Sequence, residues 1–259
     1  MIIREKGTRM GRELVKEASF LPKLCALLQE VETLEEDAMN EAAETAYEAI
    51  RKGGLLHVFA SGHSHMIAEE MFFRAGGLVP INPILDYSLM TGAGALQSMY
   101  NERKEGLAER ILSEANLHTG DVILISSNSG INNVIVEAAM TAREKGLTVI
   151  GITSLAASKT LGARHNSGKK LYELCDIVID NHVPLGDGLL EVPENGLVTG
   201  GASSFSSLFI AQKIVLKIEN CFLKDGELPP VYMSANIPNG TEHNEALIKR
   251  YQDKIKLLH

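Results

Sequence analysis

Over residues 19–52 the apolar positions Leu24, Leu27, Leu28, Val31, Leu34, Ala38, Ala42 and Ile50 recur at helical spacing until Gly53-Gly54 stops them. That pattern predicts one long amphipathic helix. Residues 1–18 give only a weak helical signal. From Leu55 onward the period changes. Short apolar runs predict strands over 55–60, 78–85, 122–126, 148–153 and 177–180, and helix-period stretches over 66–75, 106–116, 134–145 and 168–173 lie between them. Strands alternating with helices require right-handed crossovers and a parallel sheet. A loop rich in glycine, proline and acidic residues then runs to Gly201, and two helices close the chain, over 204–223 and 244–257. The expectation is an α/β protein: a three-layer α/β/α, doubly wound, five-stranded parallel sheet with extra N- and C-terminal helices. Its organisation reads as a helical extension (1–52) packing on the domain or on a dimer partner, a ligand-binding domain (53–225), and a tail with a helix (226–259).

The candidate chemistry sits where two strands end. Residues 121–132 read Asp-Val-Ile-Leu-Ile-Ser-Ser-Asn-Ser-Gly-Ile-Asn, an apolar strand breaking into hydroxyls, an asparagine and a glycine before a helix opens. A strand that delivers hydroxyls and unpaired backbone N–H groups to a helix N-terminus makes an anion site, because the amides and the helix dipole both favour negative charge. A shorter copy lies upstream, where strand 55–60 runs into Ser61-Gly62-His63-Ser64. In an open parallel sheet ligands bind beyond the carboxyl ends of the strands, where strand order reverses. With the flavodoxin-like order 2-1-3-4-5, both serine turns flank that crevice and can share one phosphate.

Composition narrows the field. A formal net charge of −8 argues against nucleic acid as a partner, and residues 30–48 alone hold eight acidic residues and no lysine or arginine, the pattern of a solvated helix face. No apolar run approaches the ~18–20 residues of a membrane span, and the N-terminus carries no signal-like stretch, so a cytoplasmic protein is expected. Cys25, Cys175 and Cys221 are widely spaced and set in apolar or helical contexts, which suggests buried thiols. His63-Ser64-His65 lacks the third ligand a metal would need, so no metal is expected. No cofactor is expected either. Only Gly62 stands where a dinucleotide fingerprint needs three glycines, and residues 162–170 have the wrong spacing for a P-loop. Asn239-Gly240-Thr241 matches a glycosylation sequon, irrelevant without secretion.

Taken together, the two serine turns resemble those of the SIS, or sugar isomerase, domain family. Ala60-Ser61-Gly62-His63-Ser64 is similar to the family's first-strand Gly-x-Ser ending, and Ser127-Asn128-Ser129-Gly130-Ile131-Asn132 to its third-strand Ser-x-Ser-Gly-x-Thr/Ser, with Gly120-Asp121 just before that strand. The likeness covers about residues 53–223 and points to members related to phosphoheptose isomerases. It implies that Ser64, Ser127 and Ser129 hydrogen-bond the phosphate of a sugar phosphate, with Asn132 in place of the family's Thr or Ser. Ser61, Gly62, His63 and Asn128 complete the turns. The implied activity is aldose–ketose isomerisation without a redox cofactor; a phosphosugar sensor, or an etherase or lyase acting on a phosphorylated amino sugar, are the alternatives.

Isomerisation through an enediol needs a base for the C1–C2 proton and an acid for the oxygens. The phosphoheptose isomerase glutamate ten residues after the first-turn serine is Arg74 here, which cannot act as a base. Hexulose-phosphate isomerases are similar in carrying arginine there, so Arg74 is expected to bind substrate. Their late-helix glutamate falls near Ser204–Ser206, where this chain has none. Replacement carboxylates are Glu69, Glu70, Glu102, Asp187 and Glu191; candidate acids are His65, His182 and His243. Glu70, Glu102 and His243 are the favoured catalytic set, with His243 delivered from a partner subunit as the family's histidines often are, in a homodimer or higher oligomer.

Overall fold

A computed structural model of the chain describes residues 13–259; most of the weakly helical stretch 1–18 lies outside the described residues. Two helices, α1 (Phe20–Leu34) and α2 (Glu36–Arg51), stand where the sequence pattern predicted one. The break falls at Glu35, whose carboxylate accepts the backbone N–H of Asp180 at 3.1 Å and contacts His182 Nε2 at 2.8 Å.

The chain continues through β1 (Leu56–Ala60), α3 (Met66–Met71), β2 (Ile81–Ile84), α4 (Ala95–Asn101), α5 (Leu107–Ser113), β3 (Val122–Ser126), α6 (Asn133–Glu144), β4 (Thr148–Thr153), α7 (Leu155–Thr160) and β5 (Ile177–Asp180). A hairpin follows, β6 (Gly188–Glu191) and β7 (Val198–Gly201), and then α8 (Ser203–Lys224) and α9 (Gly240–Tyr251). The five long-range strands form one parallel sheet in the order β2-β1-β3-β4-β5, as the crossovers predicted.

Alternate strand residues face opposite layers. Val122, Leu124, Ile150 and Ile152 pack with Met39, Ala42 and Ala46 of α2 and Ile210, Ile214 and Ile218 of α8. Ile123, Ile125 and Val149 pack on the other face with Ile111 of α5 and Ala138 and Ala142 of α6. Burial on both faces is why these strands read as continuous apolar runs. Each large aliphatic side chain so covered contributes about 1.5–3 kcal/mol.

Several boundaries differ from the sequence pattern for physical reasons. Helix α3 stops at Met71, short of the predicted 75, because Phe73 takes a left-handed φ of 42° and packs edge-on against Tyr232, ring centroids 5.1 Å apart. Strand β2 is shorter than 78–85: Leu78 leaves the sheet to bridge Val231. Helix α7 went unpredicted; Ser154 Oγ caps it by accepting the N–H of Ala157 at 3.0 Å. The predicted helix over 168–173 is a single 3-10 turn, Leu171–Glu173, and the last helix starts at Gly240 rather than 244. Cys25 is exposed rather than buried, because it lies off the Leu24, Leu27 and Val31 face of α1.

The start of the sheet is tied by a buried polar network. Asn82 Nδ2 donates to His57 Nδ1 at 2.9 Å, which leaves His57 Nε2 to donate to Asp121 Oδ2 at 3.0 Å. Asp121 also accepts the N–H groups of Leu55 at 3.0 Å and His118 at 2.9 Å. Burial alone would raise the Asp121 pKa, but these hydrogen bonds to its charged form outweigh it and hold the carboxyl below the usual range.

Candidate functional site

Strands β1 and β3 are parallel neighbours with Ala60 opposite Ser126, so Ser61 and Ser127 leave the same end of the sheet side by side. Hydrogen-bonded strands lie about 4.8 Å apart. In the first turn Gly62 takes φ 58°, which starts a 3-10 turn over Gly62–His65 leading into α3. The N-terminus of α8 abuts this turn: Ser203 and Ser204 line a small recess with His63 and Ser64.

The second turn is closed by its own serine. Ser127 donates its N–H to Ile152 O at 3.0 Å, and its Oγ accepts the N–H of Gly130 at 3.2 Å. Gly130 takes φ 62° at a crowded point between Thr153, Leu171 and Ser158. Asn128 is turned inward: its backbone oxygen accepts from Ser154 N–H at 2.9 Å and its Oδ1 from Asn181 Nδ2 at 3.0 Å. What remains faces outward. Among the described residues the N–H groups of Ser129, Ile131, Asn132 and Asn133 find no acceptor in the protein, nor do those of Gly62 and His63, and the hydroxyls of Ser64 and Ser129 make no protein hydrogen bond.

Glu102, at the end of α4, joins the two turns. Its backbone oxygen accepts the N–H of Val134 in the first turn of α6 at 3.1 Å, and its Oε2 accepts from Ser61 Oγ at 3.2 Å. The Asn132 side chain stands close enough to lower the pKa of this carboxylate. Burial pushes the Glu102 pKa above the ordinary value, against the opposing pull of Ser61, Arg103, Arg164 and Asn132. A carboxylate raised by burial and tied to both turns, through Ser61 and Val134, is suited to taking and returning a proton.

The other nominated side chains have protein partners of their own. Glu70 is bound by Arg74 and by Gln212 Nε2 of α8 at 3.1 Å, so these two charges satisfy each other beside the α3–α8 contact. His65 Nδ1 contacts Gly62 O at 2.7 Å, and its Nε2 lies 3.3 Å from Glu69. Asp187 caps α8, accepting the N–H of Ser203 at 2.8 Å. His182 is engaged with Glu35. His243 stands 2.9 Å from the oxygen of Val231, whose bridge to Leu78 places it near the start of β2, the opposite end of that strand from the turns.

One contributor escaped the sequence reading. Arg164, in the stretch set aside as a failed P-loop, donates from Nη1 to Asn132 Oδ1, while its own N–H donates to Ile131 O at 3.3 Å. The available signal was the basic run of Arg164, His165, Lys169 and Lys170 directly after a strand and helix. Among the described residues no three His, Cys, Asp or Glu side chains converge as a metal site requires, and no helix is long and apolar enough to cross a membrane.

The sequence matches the SIS domain family over residues 19–154, a span that contains both serine turns and Glu102. The chain belongs to the SIS domain family. Within it, this SIS protein is 42% identical over 248 residues to a UPF0309 protein of Halalkalibacterium halodurans, covering 93% of this chain and 96% of the relative. A UPF0309 protein of Listeria innocua is 40% identical over 232 residues, 90% of this chain and 94% of that one. Among solved structures, a phosphoheptose isomerase from Francisella tularensis superposes with a TM-score of 0.53 at 17% identity, over 78% of this chain and 96% of its own. At that identity the superposition establishes the shared SIS fold.

Proposed function

We propose that this SIS protein binds a phosphorylated sugar and interconverts its aldose and ketose forms, with Glu102 as the base. The observation that carries the reading is the position of Glu102: its carboxylate, with a pKa raised by burial, accepts from Ser61 of the first serine turn, and its backbone oxygen holds Val134 just after the second. The phosphate rests on the open amides of Ser129, Ile131, Asn132 and Asn133, with the Ser129 and Ser64 hydroxyls beside them. Anchoring that end places C1 and C2 at Glu102, and positioning of this kind supplies several kcal/mol toward the barrier. Glu102 takes the C2 proton of the aldose, the electron pair of that C–H bond forms the C1–C2 double bond, and O1 gains a proton. Return of a proton to C1 with loss of the O2 proton gives the ketose.

A homodimer belongs to the same proposal, since His243 of one copy could then serve the oxygens in the other. Helix α8 supports it by leaving Phe205, Leu216 and Leu223 about half exposed. The test of the whole reading is exchange of the C2 and C1 protons in D2O, followed by NMR over a panel of sugar phosphates chosen by thermal shift. Wild-type protein should exchange them with at least one ligand, and Glu102→Gln should bind that ligand without exchange. No thermal shift with any sugar phosphate, or exchange at the wild-type rate by Glu102→Gln, overturns it; binding without exchange by the wild type leaves a sensor in place of an enzyme.

A further inference from the structure

Four arginines of the described chain end on carboxylates: Arg51 on Asp225, Arg74 on Glu70, Arg110 on Asp86 and Arg143 on Asp176. Arg164 does not. Its guanidinium meets a neutral acceptor, Asn132 Oδ1, and among the described residues it forms no direct ion pair. A guanidinium carries five N–H donors in a planar fork, so most of this one is left over, on an exposed residue whose backbone is fastened to the second serine turn at Ile131.

The residue it holds makes this informative. Asn132 is the N-cap of α6, where an asparagine oxygen ordinarily accepts from the helix's own first amides. Here that oxygen is given to Arg164 and the side-chain cap bond is absent; Val134 N–H goes to Glu102 O instead, and the amides of Ile131, Asn132 and Asn133 find no acceptor among the described residues. An anion arriving there meets unclaimed N–H groups, the positive end of a twelve-residue helix and a cation tied to the same turn by two hydrogen bonds. The chain's formal charge of −8 makes a local cation matter more, because the general field opposes a dianion. Arg74, the cation that the family likeness put forward, is neutralised by Glu70.

We propose that Arg164 is the cationic ligand of the phosphate group held at the α6 turn, an assignment that rests on the phosphosugar reading above.

The test is calorimetric titration of wild type, Arg164→Gln and Arg164→Lys with inorganic phosphate and with fructose 6-phosphate, at low salt and at 0.5 M NaCl. Arg164→Gln should weaken both probes tenfold or more at low salt, Arg164→Lys should recover part of the loss, and the difference should shrink in high salt as the charge is screened. The melting midpoint of the ligand-free protein should stay near wild type for both variants. Equal affinity of wild type and Arg164→Gln overturns the assignment while leaving the phosphosugar reading intact. Wild-type protein that binds neither probe nor any sugar phosphate of the thermal-shift panel overturns both. If Arg164→Gln fails to fold, phenylglyoxal modification of the wild type reads the same contact by mass spectrometry: phosphate should protect Arg164, and labelling unaffected by phosphate refutes it.

Discussion

Replacing Gly130 by alanine tests whether the second serine turn is held by packing as well as by backbone conformation. Gly130 has φ +62°, and a Cβ built there would lie 3.0 Å from Thr153 Oγ1, 3.1 Å from Leu171 Cβ and 3.2 Å from Ser158 Oγ. The left-handed conformation alone costs an L residue about 1–2 kcal/mol. Pressing a methyl group against three neighbours from two other segments adds about 1–3 kcal/mol of overpacking. Gly62 supplies the control, since its φ is similar at +58° but its Cβ would meet only the Glu102 carboxylate, at 3.9 Å. Gly62→Ala should therefore show the conformational cost by itself, and Gly130→Ala should exceed it by roughly 1–3 kcal/mol. Urea denaturation of both variants, with unchanged m-values as the condition for comparing midpoints, measures the difference. If the two substitutions cost the same, the crowding around Gly130 is not what holds this turn.

Two further outcomes concern pH. Because the folded-state pKa of Asp121 is lowered, its contribution is present above the ordinary carboxylate pKa and is lost as pH falls through the lowered value; Asp121→Asn should flatten that acid-side loss in urea midpoints recorded from pH 6 downward. A persisting acid limb in that variant would mean other carboxylates carry it. Glu102 has the opposite sign: its folded pKa is raised, so the wild type should lose stability relative to Glu102→Gln as pH rises through that value, and proton exchange should rise over the same interval. Exchange already at its plateau at the ordinary glutamate pKa would separate Glu102 from the chemistry.

The sheet was legible because every central strand is buried on both faces, which writes a continuous apolar run at each of 122–126 and 148–153. The serine turns were legible for a related reason: hydroxyls and Gly130 must follow such a run directly if they are to stand at a strand end. What the pattern missed depends on contacts across the fold. The helix break at Glu35 is made by His182 and Asp180, far along the chain, and periodicity carries no trace of them. The early end of α3 at Met71 follows from Phe73 packing on Tyr232. Glu102 could be nominated from sequence but not distinguished from Glu70, since only tertiary geometry gives one of them Ser61 and the other Arg74. Arg164 was hidden by looking for a phosphate loop in its segment rather than for a cation serving a neighbouring one.

The packing of α2 against α8 has a consequence for how the polypeptide comes into being. One whole layer of the core joins residues near position 40 to residues beyond position 210, including Met39 with Ile214 and Ile218. A nascent chain emerging from the ribosome can pair β1 to β5 and lay α2 and α3 on that side well before α8 exists, and until then the layer lacks one helix and its apolar groove stays open. Chaperones meeting this protein during synthesis should therefore engage that incomplete layer and let go once residue 224 is clear of the tunnel.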